Sequence, residues 1–254
     1  MSSNLTKPRL AATLLVALTV LMGVACSGES SGESVKTGKP AAGNSKWPPE
    51  GKLEQLAPNL TTRNFYVIFD GSGSMNDTAC GGGGRKIDQA KAALQTFAEA
   101  VPRNANLGLL VFDQHGVSER VSLGSDNRDA FIKQVFAVSP SASTPLKTAV
   151  SVGRAKLEAQ AQSQLGYGEY NLVVVTDGEA SPGEDPRNAV NAMLAETPIL
   201  LHTIGFCISE SHSLNQPGRT VYKSASDGAG IKSGLGDVLA ESPNFTTQKF
   251  GGKN

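Results

Sequence analysis

The sequence predicts a doubly wound α/β domain: a mostly parallel sheet with one antiparallel edge strand and helices on both faces. Three observations carry that expectation. Four short runs, NFYVIF (residues 64–69), LGLLVF (107–112), NLVVVT (171–176) and PILLHTIGF (198–206), are apolar almost throughout. Strands apolar on both faces belong inside a parallel sheet that helices cover on each side. Helical patterns fall between those runs, and strands alternating with helices build parallel crossovers. The run GVSERVSL (116–123) alternates instead and follows the turn DQHG, which marks a hairpin return at an antiparallel edge.

Each helix has its own signal. In KIDQAKAALQTFAEAV (86–101), Ile87, Ala90, Leu94, Phe97 and Val101 recur every three or four positions and form one apolar stripe. RDAFIKQVFAV (128–138) offers Phe131, Ile132 and Val135. The segment 144–162 opens on Thr144 as an N-cap with Pro145 in the first turn, and 185–196 repeats that start with Asp185 and Pro186. RTVYKS (219–224) reads as a sixth, weaker strand. IKSGLGDVLAES (231–242) reads as a short closing helix weakened by glycine.

The chain has 254 residues, of which 39% are hydrophobic, enough for one core of ordinary size. Lys plus Arg and Asp plus Glu both number 23, so nothing in the charge balance points to nucleic acid. Residues 1–25 stand apart from the core. Lys7 and Arg9 precede an uncharged run of 15 residues (11–25), shorter than the roughly 20 that span a bilayer and matching the apolar stretch of a secretory signal.

That run ends at Cys26. It resembles a bacterial lipoprotein signal, in which a small residue precedes a cysteine that is lipidated and becomes the mature N-terminus. Gly23 stands where that family usually has leucine, and Gly23-Val24-Ala25 also fits ordinary cleavage, which would leave Cys26 as a free thiol. Residues 26–58 are rich in Ser, Gly and Pro and read as a flexible tether. The folded domain is expected over 59–245, with a tail at 246–254. With Cys26 set aside, Cys80 and Cys207 remain, either as one bridge in an oxidising compartment or as two unpaired thiols.

The chemistry concentrates at strand ends. FYVIFDGSGSMND (65–77) spends an apolar strand to present Asp70, Ser72 and Ser74 with little other bulk. Asp177 follows the NLVVVT strand, and Thr144 opens the helix before it. In an open α/β sheet such positions converge at the carboxyl ends of the strands, where ligands bind.

DGSGSM, STP and TDG, in that order over residues 60–240, resemble the three-part metal-ion-dependent adhesion site (MIDAS) of von Willebrand factor type A domains. The resemblance implies a divalent ion, Mg²⁺ or alternatively Mn²⁺ or Ca²⁺. Ser72, Ser74 and Thr144 would be direct ligands, and Asp70 and Asp177 outer carboxylates acting through water. It also implies a protein partner whose Asp or Glu carboxylate completes the coordination. Oxygen donors suit such hard ions better than His or Cys would. Gly71 and Gly73 are expected to bend the backbone so that both serines face one point. The implied function is a cation-dependent protein-binding module on the bacterial cell envelope, anchored to the membrane through lipidated Cys26 or else secreted.

The alternative is a metal-dependent hydrolase or phosphatase using the same site. An aspartyl phosphatase loop places a second aspartate where Ser72 stands, and GGGGRK (81–86) lacks the ending of a phosphate loop and reads as a flexible insertion. His202 falls in a strand and is expected in the core; His115 and His212 fall in loops. No catalytic residue is therefore assigned. Cys80 follows the metal loop and Cys207 follows the fourth apolar strand, so both belong on the metal-bearing rim and a bridge between them is expected.

Overall fold

The four apolar runs become the parallel strands of one sheet. The computed structural model describes residues 46–51, 55–78, 80, 83–141 and 143–240. The predicted signal segment, Cys26, most of the predicted tether and the tail lie outside those residues.

The strands are β1 (Arg63–Asp70), β2 (Asn106–Asp113), β3 (Gly116–Gly124), β4 (Glu169–Thr176), β5 (Leu200–Phe206) and β6 (Val221–Ala225). They lie in the order β3-β2-β1-β4-β5-β6, with every pairing parallel except β2 with β3. The predicted hairpin return is thus the antiparallel edge. β1 is central, and the chain builds outward first on its β2 side and then on its β4 side. That reversal opens a crevice between the carboxyl ends of β1 and β4.

The helices are α1 (Lys86–Ala100), α2 (Arg128–Ala137), α3 (Leu146–Ser163), α4 (Arg187–Glu196) and α5 (Gly228–Ala240). Side chains alternate across each strand, so Phe65, Val67 and Phe69 pack with α1, α2 and α5, while Tyr66 and Ile68 pack with α3 and α4. Each such side chain, fully buried, contributes about 1.5–3 kcal/mol relative to exposure.

Two helix starts differ from expectation. α3 begins at Leu146, and Thr144 does not cap it; Glu184 from a distant loop does, accepting the Thr148 N–H at 2.8 Å and the Thr148 hydroxyl at 2.9 Å. α5 begins at Gly228, three residues before the predicted start. There the Gln89 side chain accepts the Gly228 N–H at 2.7 Å, and Asp227 Oδ1 accepts that of Gly230 at 2.8 Å. Both caps depend on side chains a local pattern cannot identify.

At the amino ends of the strands a row of buried amides closes on itself. Asn106 donates to Asn64 Oδ1 at 2.8 Å, and Asn64 Nδ2 donates to Gln164 Oε1 and the Glu169 carbonyl, each at 2.8 Å. Asn171 Nδ2 reaches the Asn64 carbonyl at 3.3 Å, and its Oδ1 lies 3.2 Å from His202 Nε2. His202 is buried in β5 as expected, and burial holds its pKa down at about 4.

Candidate metal centre

β1 delivers Asp70 to the crevice fully buried. Its Oδ1 accepts the Ser72 N–H at 2.7 Å, and its Oδ2 accepts the Thr176 hydroxyl from the end of β4. Between them Gly71 donates to the Phe112 carbonyl at 2.8 Å. A Cβ on Gly71 would stand 2.7 Å from Val138 Cγ1 and 2.8 Å from Asp113 Cβ. Glycine is required here by close approach, since neither Gly71 nor Gly73 has the left-handed φ that free bending would use.

The backbone then winds into a single 3-10 turn (Gly73–Asn76), pinned by fully buried Met75. This turn brings Ser72 Oγ and Ser74 Oγ to 3.1 Å of each other. Ser74 in turn donates to Asp177 Oδ1 at 2.7 Å, across 103 residues of sequence.

Thr144 arrives on a loop sewn to the one after β4. Its N–H donates to Ser181 Oγ at 2.9 Å, and its carbonyl accepts the Ser181 N–H at 3.0 Å. Gly178, in the loop after β4, faces both other segments: a Cβ there would sit 3.7 Å from Ser74 Oγ and 3.8 Å from Thr144 Oγ1. The missing methyl leaves a cradle that both hydroxyls border. All five predicted residues, Asp70, Ser72, Ser74, Thr144 and Asp177, therefore lie at one end of the sheet.

The electrostatics favour a cation. Burial, with a smaller contribution from the Asp177 charge, pushes Asp70 up to about 6 despite the hydrogen bonds from Ser72 and Thr176 that oppose the rise. Such a carboxylate is short of positive charge. The spacing of the serines is also suitable, because two oxygens at adjacent corners of an octahedron with ~2.1 Å arms are ~3.0 Å apart. Among the described residues no cluster of three His, Cys, Asp or Glu could hold a metal, so hydroxyls and carboxylates are the donor set available. These residues fit a hard divalent ion.

Sequence reasoning missed three supporting residues. Thr176 fixes Asp70. His212 accepts the Leu214 N–H at Nδ1, which leaves Nε2–H to donate to the Gly178 carbonyl at 2.9 Å, just beyond Asp177. Lys86, the last residue of the glycine-rich GGGGRK, places Nζ 2.7 Å from Asp177 Oδ2. A signal for Lys86 existed: a basic residue in the first turn of a helix opposes the macrodipole and needs a partner elsewhere. Cys80 and Cys207 do form a disulfide, with their Cα atoms 6.3 Å apart, and it closes the rim between the metal loop and the end of β5.

Comparison with known proteins agrees with this fold. An uncharacterized protein of Bacillus subtilis, YwmD, is 31% identical over 157 residues, covering 56% of this chain and 67% of that one. Among solved structures, the pilus adhesin SpaC of Lactobacillus rhamnosus GG superposes with a TM-score of 0.57 at 14% identity, over 74% of this chain and 31% of the adhesin. Proximal thread matrix protein 1 of the mussel byssus, solved with a zinc-occupied MIDAS motif, superposes with a TM-score of 0.56 at 16% identity, over 70% of this chain and 47% of that one. This chain thus spans less than half of either structural neighbour, and likeness at such identities establishes the fold. The family model of the von Willebrand factor type A domain matches residues 64–233, more than half of the sequence, and the chain belongs to that family.

Proposed function

We propose that this protein binds a divalent cation, Mg²⁺ or alternatively Mn²⁺ or Ca²⁺, and uses it to hold a protein partner through an Asp or Glu carboxylate. The observation that carries the reading is the meeting of Ser72 Oγ and Ser74 Oγ at 3.1 Å beside Asp177, with Thr144 across the Gly178 cradle and Asp70 beneath. Ser72, Ser74 and Thr144 hold the ion directly, while Asp70 and Asp177 supply negative charge behind them. The ion supplies an electrophilic position that an anionic oxygen can fill.

The local bonding supports binding over turnover. Asp70 is engaged by Ser72 and Thr176, and Asp177 by Ser74 and Lys86, so neither carboxylate is poised as a base. The apolar run 11–25 and Cys26 support display on the bacterial envelope through a lipid anchor. Among the described residues no helix is long and apolar enough to cross a membrane. Loops that open onto the same edge of the sheet, at 114–115, 139–141 with 143–144, and 207–219, are suited to choosing the partner.

The test is capture from an envelope extract on immobilised protein with Mg²⁺, with a chelator, and with Asp70→Ala in Mg²⁺. The reading predicts a protein retained in the first condition alone. An identical bound set in all three would refute it. Intact mass of the membrane-extracted chain would show an acylated N-terminus at Cys26, and a mass beginning at an unmodified cysteine would remove the anchor.

A further inference from the structure

Lys86 brings a fixed positive charge to a site otherwise built to attract one. It is the first residue of α1, and its side chain is 11% exposed. Its backbone N–H donates to the Asp77 carbonyl at 3.0 Å, which ties it to the segment that follows the serines. Its ammonium lies 2.7 Å from Asp177 Oδ2, while Asp177 Oδ1 accepts from Ser74. The one carboxylate thus joins a proposed metal-binding hydroxyl to a permanent cation. Desolvating the lysine ammonium and opposing the helix dipole both cost stability, which the Asp177 pairing offsets.

The charge count follows. With both carboxylates ionised, Asp70, Asp177 and Lys86 sum to one negative charge. A divalent ion would leave the assembly with one positive charge in a poorly solvated crevice. One carboxylate from a ligand brings it to neutrality. Without Lys86 the same ion would already be neutralised, and an anionic ligand would gain less.

We infer that Lys86 is a specificity-determining residue, a built-in counter-cation that weakens the bare metal complex and thereby couples metal binding to capture of an anionic oxygen ligand. The inference rests on the proposed metal site and deepens it: the preferred occupant of the open position is a carboxylate and not a neutral carbonyl or hydroxyl. Lys86 acts through Asp177 and touches neither ligand.

The experiment titrates Mn²⁺ into the full-length protein in detergent, following free Mn²⁺ by electron paramagnetic resonance, with and without acetate as the carboxylate probe. Wild type is compared with Lys86→Met, Lys86→Gln and Lys86→Arg. Removing the charge should tighten Mn²⁺ binding by about tenfold or more, the scale expected for one elementary charge at close range. Acetate should tighten Mn²⁺ binding in wild type and do so distinctly less in Lys86→Met, because coupling between two ligands is reciprocal. Lys86→Arg, which keeps the charge, should resemble wild type. Should Lys86→Met fold poorly by circular dichroism, Lys86→Gln carries the same prediction. Mn²⁺ binding that is equal or weaker in the neutral variants, with acetate acting alike in all, would overturn the inference and leave the metal site standing. Wild type that binds no Mn²⁺ would remove the site and the inference together.

Discussion

The two ends of the sheet bury polar groups in opposite ways. At the amino ends, Asn64, Asn106, Asn171, Gln164 and His202 are neutral and satisfy one another. At the carboxyl ends, Asp70 and Asp177 converge with the hydroxyls of Ser72, Ser74, Thr144 and Thr176, Lys86 pairs with Asp177, and burial lets Asp70 hold its proton up to about pH 6. A row of amides closes because each carries both donor and acceptor. Carboxylates only accept, and even where neutral donors satisfy their oxygens their buried charge stays costly without a cation or a proton. One end builds the fold; the other is the proposed cation site.

Perturbing the two ends should therefore give different signatures. The largest effect expected is loss of the Cys80–Cys207 bridge, which links positions 127 residues apart at the carboxyl end. Chain-entropy arguments set its contribution at up to about 4–5 kcal/mol. The double variant Cys80→Ser/Cys207→Ser should unfold at clearly lower urea and bind Mn²⁺ more weakly, since the bridge restrains the loop leading to Lys86. An unchanged midpoint would show that the rim needs no restraint.

At the amino end, Asn64→Leu strands the partners of several buried hydrogen bonds and should cost about 3–4 kcal/mol in urea unfolding. Mn²⁺ affinity of the folded variant should stay within about threefold of wild type. A large loss of affinity without loss of stability would contradict the division of labour between the ends.

Acid separates the ends by sign. His202 is held neutral in the fold at a pKa of about 4, against an ordinary value of 6.5. Below pH 6.5 the unfolded chain binds the extra proton, so this stability is lost as pH falls toward 4. Asp70 is raised from 3.8 to about 6, so between those values the folded chain binds the extra proton and stability is gained as pH falls. Each contribution is about 3 kcal/mol, and in metal-free wild type they oppose one another. His202→Gln should therefore become more stable from pH 6 to pH 4, and Asp70→Asn less stable. Parallel profiles in urea titrations at each pH would break the comparison.

The smallest expected effect is on metal-free stability at pH 7. Asp70→Asn removes a costly buried charge at similar shape, so the variant should be as stable as wild type or more stable by about 1 kcal/mol. Added Mn²⁺ should raise the midpoint of wild type and leave Asp70→Asn unmoved.

Much of this was legible in the sequence. Hydrophobic runs located four of the five parallel strands to within two residues at either end, because strands buried on both faces leave little room for polar interruption. DGSGSM, STP and TDG were legible because each sits at a strand or helix end that the sheet brings to one edge. What escaped was whatever depends on a partner far away in the chain. Thr144 looked like a helix cap, yet the cap is Glu184, which reaches back to Thr148 from beyond β4. Lys86 looked like the end of a flexible insertion, yet it pairs with Asp177 across 91 positions. His212 carried no spacing signal because it acts on a backbone carbonyl, which no motif encodes.

The most direct measurement is the number and affinity of Mn²⁺ ions bound by wild type, Ser72→Ala, Ser74→Ala and Asp70→Asn, each confirmed folded. The convergence of the three loops predicts one Mn²⁺ bound per wild-type chain and a roughly tenfold to hundredfold weakening in every variant, the consequence of removing a ligand or the charge behind it. Equal Mn²⁺ binding by all four proteins, or none by wild type, would show that this end of the sheet is not a metal centre.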